Sequence, residues 1–222
     1  MSANADVSPN RPEMAVTLAV LFVLSTAGVW VYRSLEWLAL GAAVAEHCED
    51  CDGLLVVLQE EGLMSIAWVP VFLMLGWRPS HLTESFRARD LLVGSGLYAA
   101  SLALVYGAHI LSGVSSLESR GQVELWCVIV FCVLNPVFEE GLFAVVAKLG
   151  IGVHAMAGVL LSVGLRYLTH LYQGPVLAFV DVALLGGVFT AYYVRYHRLW
   201  PPVIAHAIYN AVELGWLPEC AA

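Results

Sequence analysis

Long apolar runs dominate this chain, and three neighbouring ones carry side chains that hydrocarbon accepts only at a cost: Glu139, Glu140, Arg166, His170, His206 and Asn210. The runs lack the period-two alternation that a lipid-embedded β-barrel requires, so their backbone must be satisfied within helices. An ionised side chain at the bilayer centre costs roughly 2.5–3.5 kcal/mol on insertion scales. Polar groups gathered on three adjacent segments against that cost point to a chemical use.

Hydrophobic residues make up 60% of the chain and charged residues 13%, whereas a soluble domain carries about 25% charged residues. The fold class implied is all-α, a polytopic transmembrane bundle. Membrane lipid is therefore the first expected partner. A net charge of −8 without a basic patch argues against nucleic acid.

A spanning helix needs about 20 mostly apolar residues. Seven candidates follow: 14–32, 62–77, 91–113, 123–147, 151–172, 176–194 and 201–217. Segment 36–58 holds two pieces too short to span around the acidic His47–Asp52 stretch, and reads as an interfacial or re-entrant helical segment. Residues 1–13 read as a disordered cytoplasmic tail, 14–217 as one transmembrane domain, and 218–222 as a short tail. The first run has no small-residue cleavage site after it and reads as a retained anchor.

Basic residues concentrate in alternate loops: Arg78, Arg87 and Arg89, then Lys148, then Arg195 and Arg198. By the positive-inside rule these loops are cytoplasmic, the N-terminus is inside and the C-terminus outside. Small residues Gly94, Gly96, Ala99, Gly186 and Gly187 read as seams where helices approach closely. Asp181 reads as a helix–helix hydrogen-bonding residue, and His109 and His154 as packing residues. Cys48 and Cys51 form one Cys-x-x-Cys pair, half of what a structural zinc site needs, and read as loop thiols, incidental or disulfide-bonded. Cys127 and Cys132 read as small apolar residues within a span.

Glu139 and Glu140 follow Asn135-Pro136, where proline kinks the helix and opens local space. Adjacent helical residues point about 100° apart, so one carboxylate should face a cavity and the other a structural partner. Arg166 and His170 share a helix face, as do His206 and Asn210. A desolvated carboxylate can accept a proton from water, a histidine can hold that water, and a second histidine with an amide can donate to an oxyanion. Peptide hydrolysis fits these roles. No serine or cysteine is placed as a nucleophile, and no His-Glu-x-x-His zinc helix is present.

Glu139-Glu140, then His170, then His206-x-x-x-Asn210 on successive helices resemble the CPBP intramembrane proteases, which include CAAX prenyl endopeptidases and bacterial immunity proteins. The resemblance covers about residues 91–217, the expected protease core. It implies Glu139 as general base, His170 as water holder, His206 and Asn210 as oxyanion donors, and Glu140 with Arg166 in support. It also implies a bacterial-type cell membrane and a peptide or protein substrate, lipidated or not. Members of this family have been described both as glutamate-type enzymes that require no cofactor and as metal-dependent ones. In the latter case Glu139, His170 and His206 would ligate zinc.

Two departures bear on the site. Ala144 stands where the family has arginine, and Arg166 where it has an aromatic residue. A relocated charge follows, with Arg166 pairing with Glu140 across the helix hairpin. From a turn near residue 150, Glu140 and Arg166 would differ in depth by roughly 9 Å, and Glu139 and His170 by about 14 Å. A kink, tilt or recessed turn at Gln173–Pro175 must close those gaps. The alternatives are a non-catalytic scaffold or bacteriocin immunity protein that binds peptide in the same cavity, and a proton-coupled transporter, which no inverted repeat supports.

Overall fold

A computed structural model describes residues 20–21, 24–25, 28–36, 39, 58–59, 62–63, 83–112, 125–151 and 154–212. Among them the fold is all-helical. Helix α1 spans Arg89–Ser112, α2 Leu125–Ile151 and α3 Ala155–Thr169. A 3₁₀ turn at Leu171–Gln173 follows, then α4 over Pro175–Tyr196 and α5 over Trp200–Ala211. Within α4 the stretch Ala178–Leu184 is a wider π-helix.

Three helices among the described residues, Arg89–Leu111, Ile129–Lys148 and Pro175–Tyr196, are long and apolar enough to cross a membrane. These correspond to the expected spans 91–113, 123–147 and 176–194. The expected span 151–172 is instead the 15-residue α3, about 22 Å long at 1.5 Å per residue and short of the roughly 30 Å hydrocarbon core. The described part of 201–217 is the 12-residue α5. The runs at 14–32 and 62–77, the segment 36–58 and the tails at 1–13 and 218–222 lie wholly or largely outside the described residues. Seven spans are therefore not established.

The α2–α3 connection also differs from the expected turn at 148–150. Apolar residues carry α2 past Gly150 to Ile151, and α3 starts at Ala155. His154 caps α3, its Nδ1 accepting from the Met156 N–H at 3.2 Å, and it is exposed. It is a cap rather than a packing residue, because the first N–H groups of a helix need an acceptor.

α2 packs on α3 and α5, α1 packs on α5, and α4 packs on α3 and α1. One apolar core joins Val105, Val180, Leu185, Phe189 and Ala205. α1 and α5 meet closely at Gly94, where an added Cβ would sit 2.7 Å from Ile204. That small-residue seam was legible in the sequence.

The connection into α5 is fastened by charge. Arg198 is buried and donates from Nη2 to Asp90 Oδ2 at 2.6 Å, from Nε to Asp90 Oδ1 at 3.1 Å, and from Nη1 to Glu84 Oε2 at 2.6 Å. The Leu199 N–H donates to Thr83 Oγ1 at 2.8 Å beside it. The hydrogen bonds to Asp90 hold the Arg198 guanidinium still more firmly protonated than usual. Cys127 is disulfide-bonded rather than a plain apolar filler. Cys132 is a free, buried thiol.

Candidate active site

The site lies where the middle of α2 meets the end of α3 and the face of α5. Since α2 ends at Ile151 and α3 begins at Ala155, the midpoint between the two helix ends in sequence is position 153. Glu140 and Arg166 are each thirteen positions from that point, so the 9 Å depth offset expected from a turn at 150 vanishes. Arg166 Nη2 donates to Glu140 Oε2 at 2.9 Å. The pair anticipated from the missing charge at Ala144 is present.

The same shift shortens the expected gap between Glu139 and His170 to about 4–5 Å at 1.5 Å per residue. The chain then leaves helical geometry at His170, whose φ is −113° and ψ is 11°. Gly174 follows with φ 92°, a conformation that side chains with a Cβ avoid, and Pro175 opens α4. His170 therefore sits at the turn that ends α3 and not within a helix. Its Nδ1 lies 2.9 Å from the Arg166 carbonyl. Nδ1–H donates to that carbonyl, which leaves Nε2 as the acceptor nitrogen. Nε2 is 3.9 Å from Glu139 Oε1.

All six sequence-predicted residues enter one network. Asn210 Nδ2 donates to Asn135 Oδ1 at 2.9 Å, and Asn135 Nδ2 donates to Glu139 Oε1 at 3.0 Å. His206 Nδ1 contacts Glu140 Oε1 at 2.8 Å. Arg166 Nη1 lies 3.7 Å from Glu139 Oε2, so one guanidinium faces both acids. Glu140 is thus tied to Arg166 and His206, while Glu139 faces His170. This is the division of labour that the 100° separation of neighbours requires. Glu139, Glu140, Arg166, His206 and Asn210 are all buried, so their mutual attraction is little screened.

Several participants were not legible as such. In the sequence Asn135 stands out only as a companion of the kinking proline, yet it bridges α2 to α5. Its spacing of four residues before Glu139 was the available signal. Phe143 lies under Arg166, with Cζ 3.8 Å from the ring centroid, in cation–π contact. Gly186 abuts the Arg166 side chain. Ser34, from helical residues 28–36, accepts the Tyr172 N–H at 2.8 Å and pins the turn after His170. The side chain of Asp181 lies outside what is described. Ala144, beside Glu140, lines a cavity of about 10 Å³ with Thr190, Tyr193 and Pro202, room for about one water.

Among the described residues no three His, Cys, Asp or Glu side chains are grouped to hold a metal ion. His206 turns its Nδ1 to Glu140, and the set Glu139, His170 and His206 is not gathered as three ligands.

Residues 121–212 match the family described as type II CAAX prenyl endopeptidase Rce1-like, over somewhat less than half of the 222-residue chain. The matched family is one of CAAX-type peptide-bond hydrolases, and the matched segment contains Asn135, Glu139, Glu140, Arg166, His170, His206 and Asn210. Three membrane-length apolar helices support an integral membrane protein. No curated protein and no solved structure matches the chain.

Proposed function

We propose that this protein is an intramembrane endopeptidase of the CAAX type, in which Glu139 and His170 activate a water. The observation that carries the reading is the 3.9 Å between Glu139 Oε1 and His170 Nε2. That distance is too long for a direct hydrogen bond and suits two acceptors sharing one water. A water donating one hydrogen to each turns a lone pair outward, toward a scissile carbonyl.

In the proposed step Glu139 takes a proton as the water oxygen bonds to the carbonyl carbon, and the carbonyl electrons move onto its oxygen. His206 Nε2, when the ring carries both protons, and the second Asn210 amide hydrogen are the donors proposed for that oxyanion. Collapse breaks the C–N bond, and the proton held by Glu139 goes to the leaving nitrogen. Arg166 and Glu140 hold these groups in register. No step needs a metal. Zinc remains the alternative that a chelator titration tests, with loss of activity restored by added Zn²⁺ as the result that would favour it.

The substrate proposed is a membrane-associated peptide, with or without a lipid anchor. Seven spans with a cytoplasmic N-terminus are proposed on the basis of the arginine distribution. Cysteine labelling of 78–90 and 195–200 from the cytoplasmic side and of 114–122 from outside would support that topology, and labelling of 114–122 from the cytoplasm would overturn it. Cleavage of a bilayer-reconstituted peptide by the wild-type chain but not by His170→Ala tests the chemistry. The same rate in both would refute it.

A further inference from the structure

Arg166 is 1% exposed, yet an ordinary helix surface would leave no room for its side chain between α3 and α4. Room exists because position 186 is glycine. A Cβ there would collide with Cδ and Nε of Arg166, and would lie 2.9 Å from Cζ. Phe143 lies across the guanidinium from α2. Arg166 Nε has no hydrogen-bond partner among the described residues, so steric confinement of the stem acts together with the Nη2–Glu140 hydrogen bond in setting where the fork points. Gly187, next in sequence, is different: a Cβ there would meet only Val163 Cγ2 at 3.5 Å, an ordinary contact.

We infer that Gly186 is a positioning residue: with Phe143 it forms a slot that aims the Arg166 fork at both Glu139 and Glu140. The slot exists because this chain carries its site cation on α3 and not at position 144, where a side chain four residues after Glu140 would need no passage through the α3–α4 interface. The wide π-turns at Ala178–Leu184 end two residues before Gly186. The functional half of this inference rests on the peptidase reading; the structural half does not.

The test is a thermal-unfolding cycle on the full chain in detergent micelles. Gly186→Ala should lower the melting temperature by about 5–10 °C in the wild-type background, and by no more than about 2 °C in an Arg166→Ala background, where the obstructing atoms are gone. Gly187→Ala should change it by about 2 °C or less in either. If Gly186→Ala does not fold alone, recovery of folded protein in the Gly186→Ala/Arg166→Ala double variant gives the same answer. Equal losses in both backgrounds would mean that Gly186 is only a helix-packing seam, and would overturn the inference. In a peptide-cleavage assay Gly186→Ala should lower kcat about 10–100-fold with KM within about twofold, since misaimed groups slow chemistry more than binding. Unchanged kcat would overturn the positioning role. A wild-type chain that cleaves nothing, with the unfolding cycle as expected, would instead sink the peptidase reading and leave the slot standing.

Discussion

Two buried arginines organise this molecule, and they are used in opposite ways. Arg198 directs its fork at Asp90 and Glu84, and joins 83–90 to the start of α5 through several close hydrogen bonds. Arg166 makes one hydrogen bond to Glu140, stands 3.7 Å from Glu139 and leaves Nε without a partner among the described residues. The first is a saturated fastening. The second holds two carboxylates while leaving one of them, Glu139, open toward His170. A buried ion pair whose donors are fully engaged rigidifies its surroundings, whereas one left partly engaged keeps acceptor capacity for something else.

The contrast can be broken experimentally. The largest stability effects should come from stranding buried charges. Arg166→Leu and Glu140→Leu should each lower stability by about 3–5 kcal/mol in chemical unfolding, and the double variant should recover part of the loss. Fully additive losses would show that the two residues do not pair. Arg198→Leu should cost a similar amount, again about 3–5 kcal/mol. It should, however, leave kcat per folded molecule within about threefold, because the clasp touches no group of the site. A large kcat loss there would merge the two regions into one functional unit. Asn210→Ala should reduce kcat by on the order of 10²–10³, as removal of an oxyanion donor does. Asn135→Ala should cost less, about 1–3 kcal/mol of stability through the acceptors and donors it leaves unsatisfied. A smaller kcat loss for Asn210→Ala than for Asn135→Ala would make Asn210 a support for Asn135 rather than a donor to the reaction.

The sequence carried the membrane character and the identity of the polar cluster, because charges inside apolar runs are conspicuous. It also carried the Arg166–Glu140 pair, since Ala144 left an acid without an obvious cation. It did not carry the depth of the hairpin. Gly150 marks a turn by local propensity, but α2 continues to Ile151, and a shift of three residues changes the axial offset by about 9 Å across the two arms of a helical hairpin. The clasp was illegible for another reason. Asp90 and Arg198 are 108 positions apart, and Arg198 read simply as one of several topology-setting charges. Gly186 was visible as a small residue in a helix, but a seam and a slot look alike until the neighbouring side chain is placed.

The central claim is that Glu139 and His170 share the attacking water. Its most direct test is cleavage of a membrane-inserted peptide by reconstituted protein in ¹⁸O-labelled water, comparing wild type with Glu139→Gln at matched folded concentration. The account predicts one ¹⁸O incorporated into each new carboxyl terminus by the wild type, and a rate at least about 10³-fold lower for Glu139→Gln, the scale of a lost general base. Undiminished cleavage by Glu139→Gln would contradict it.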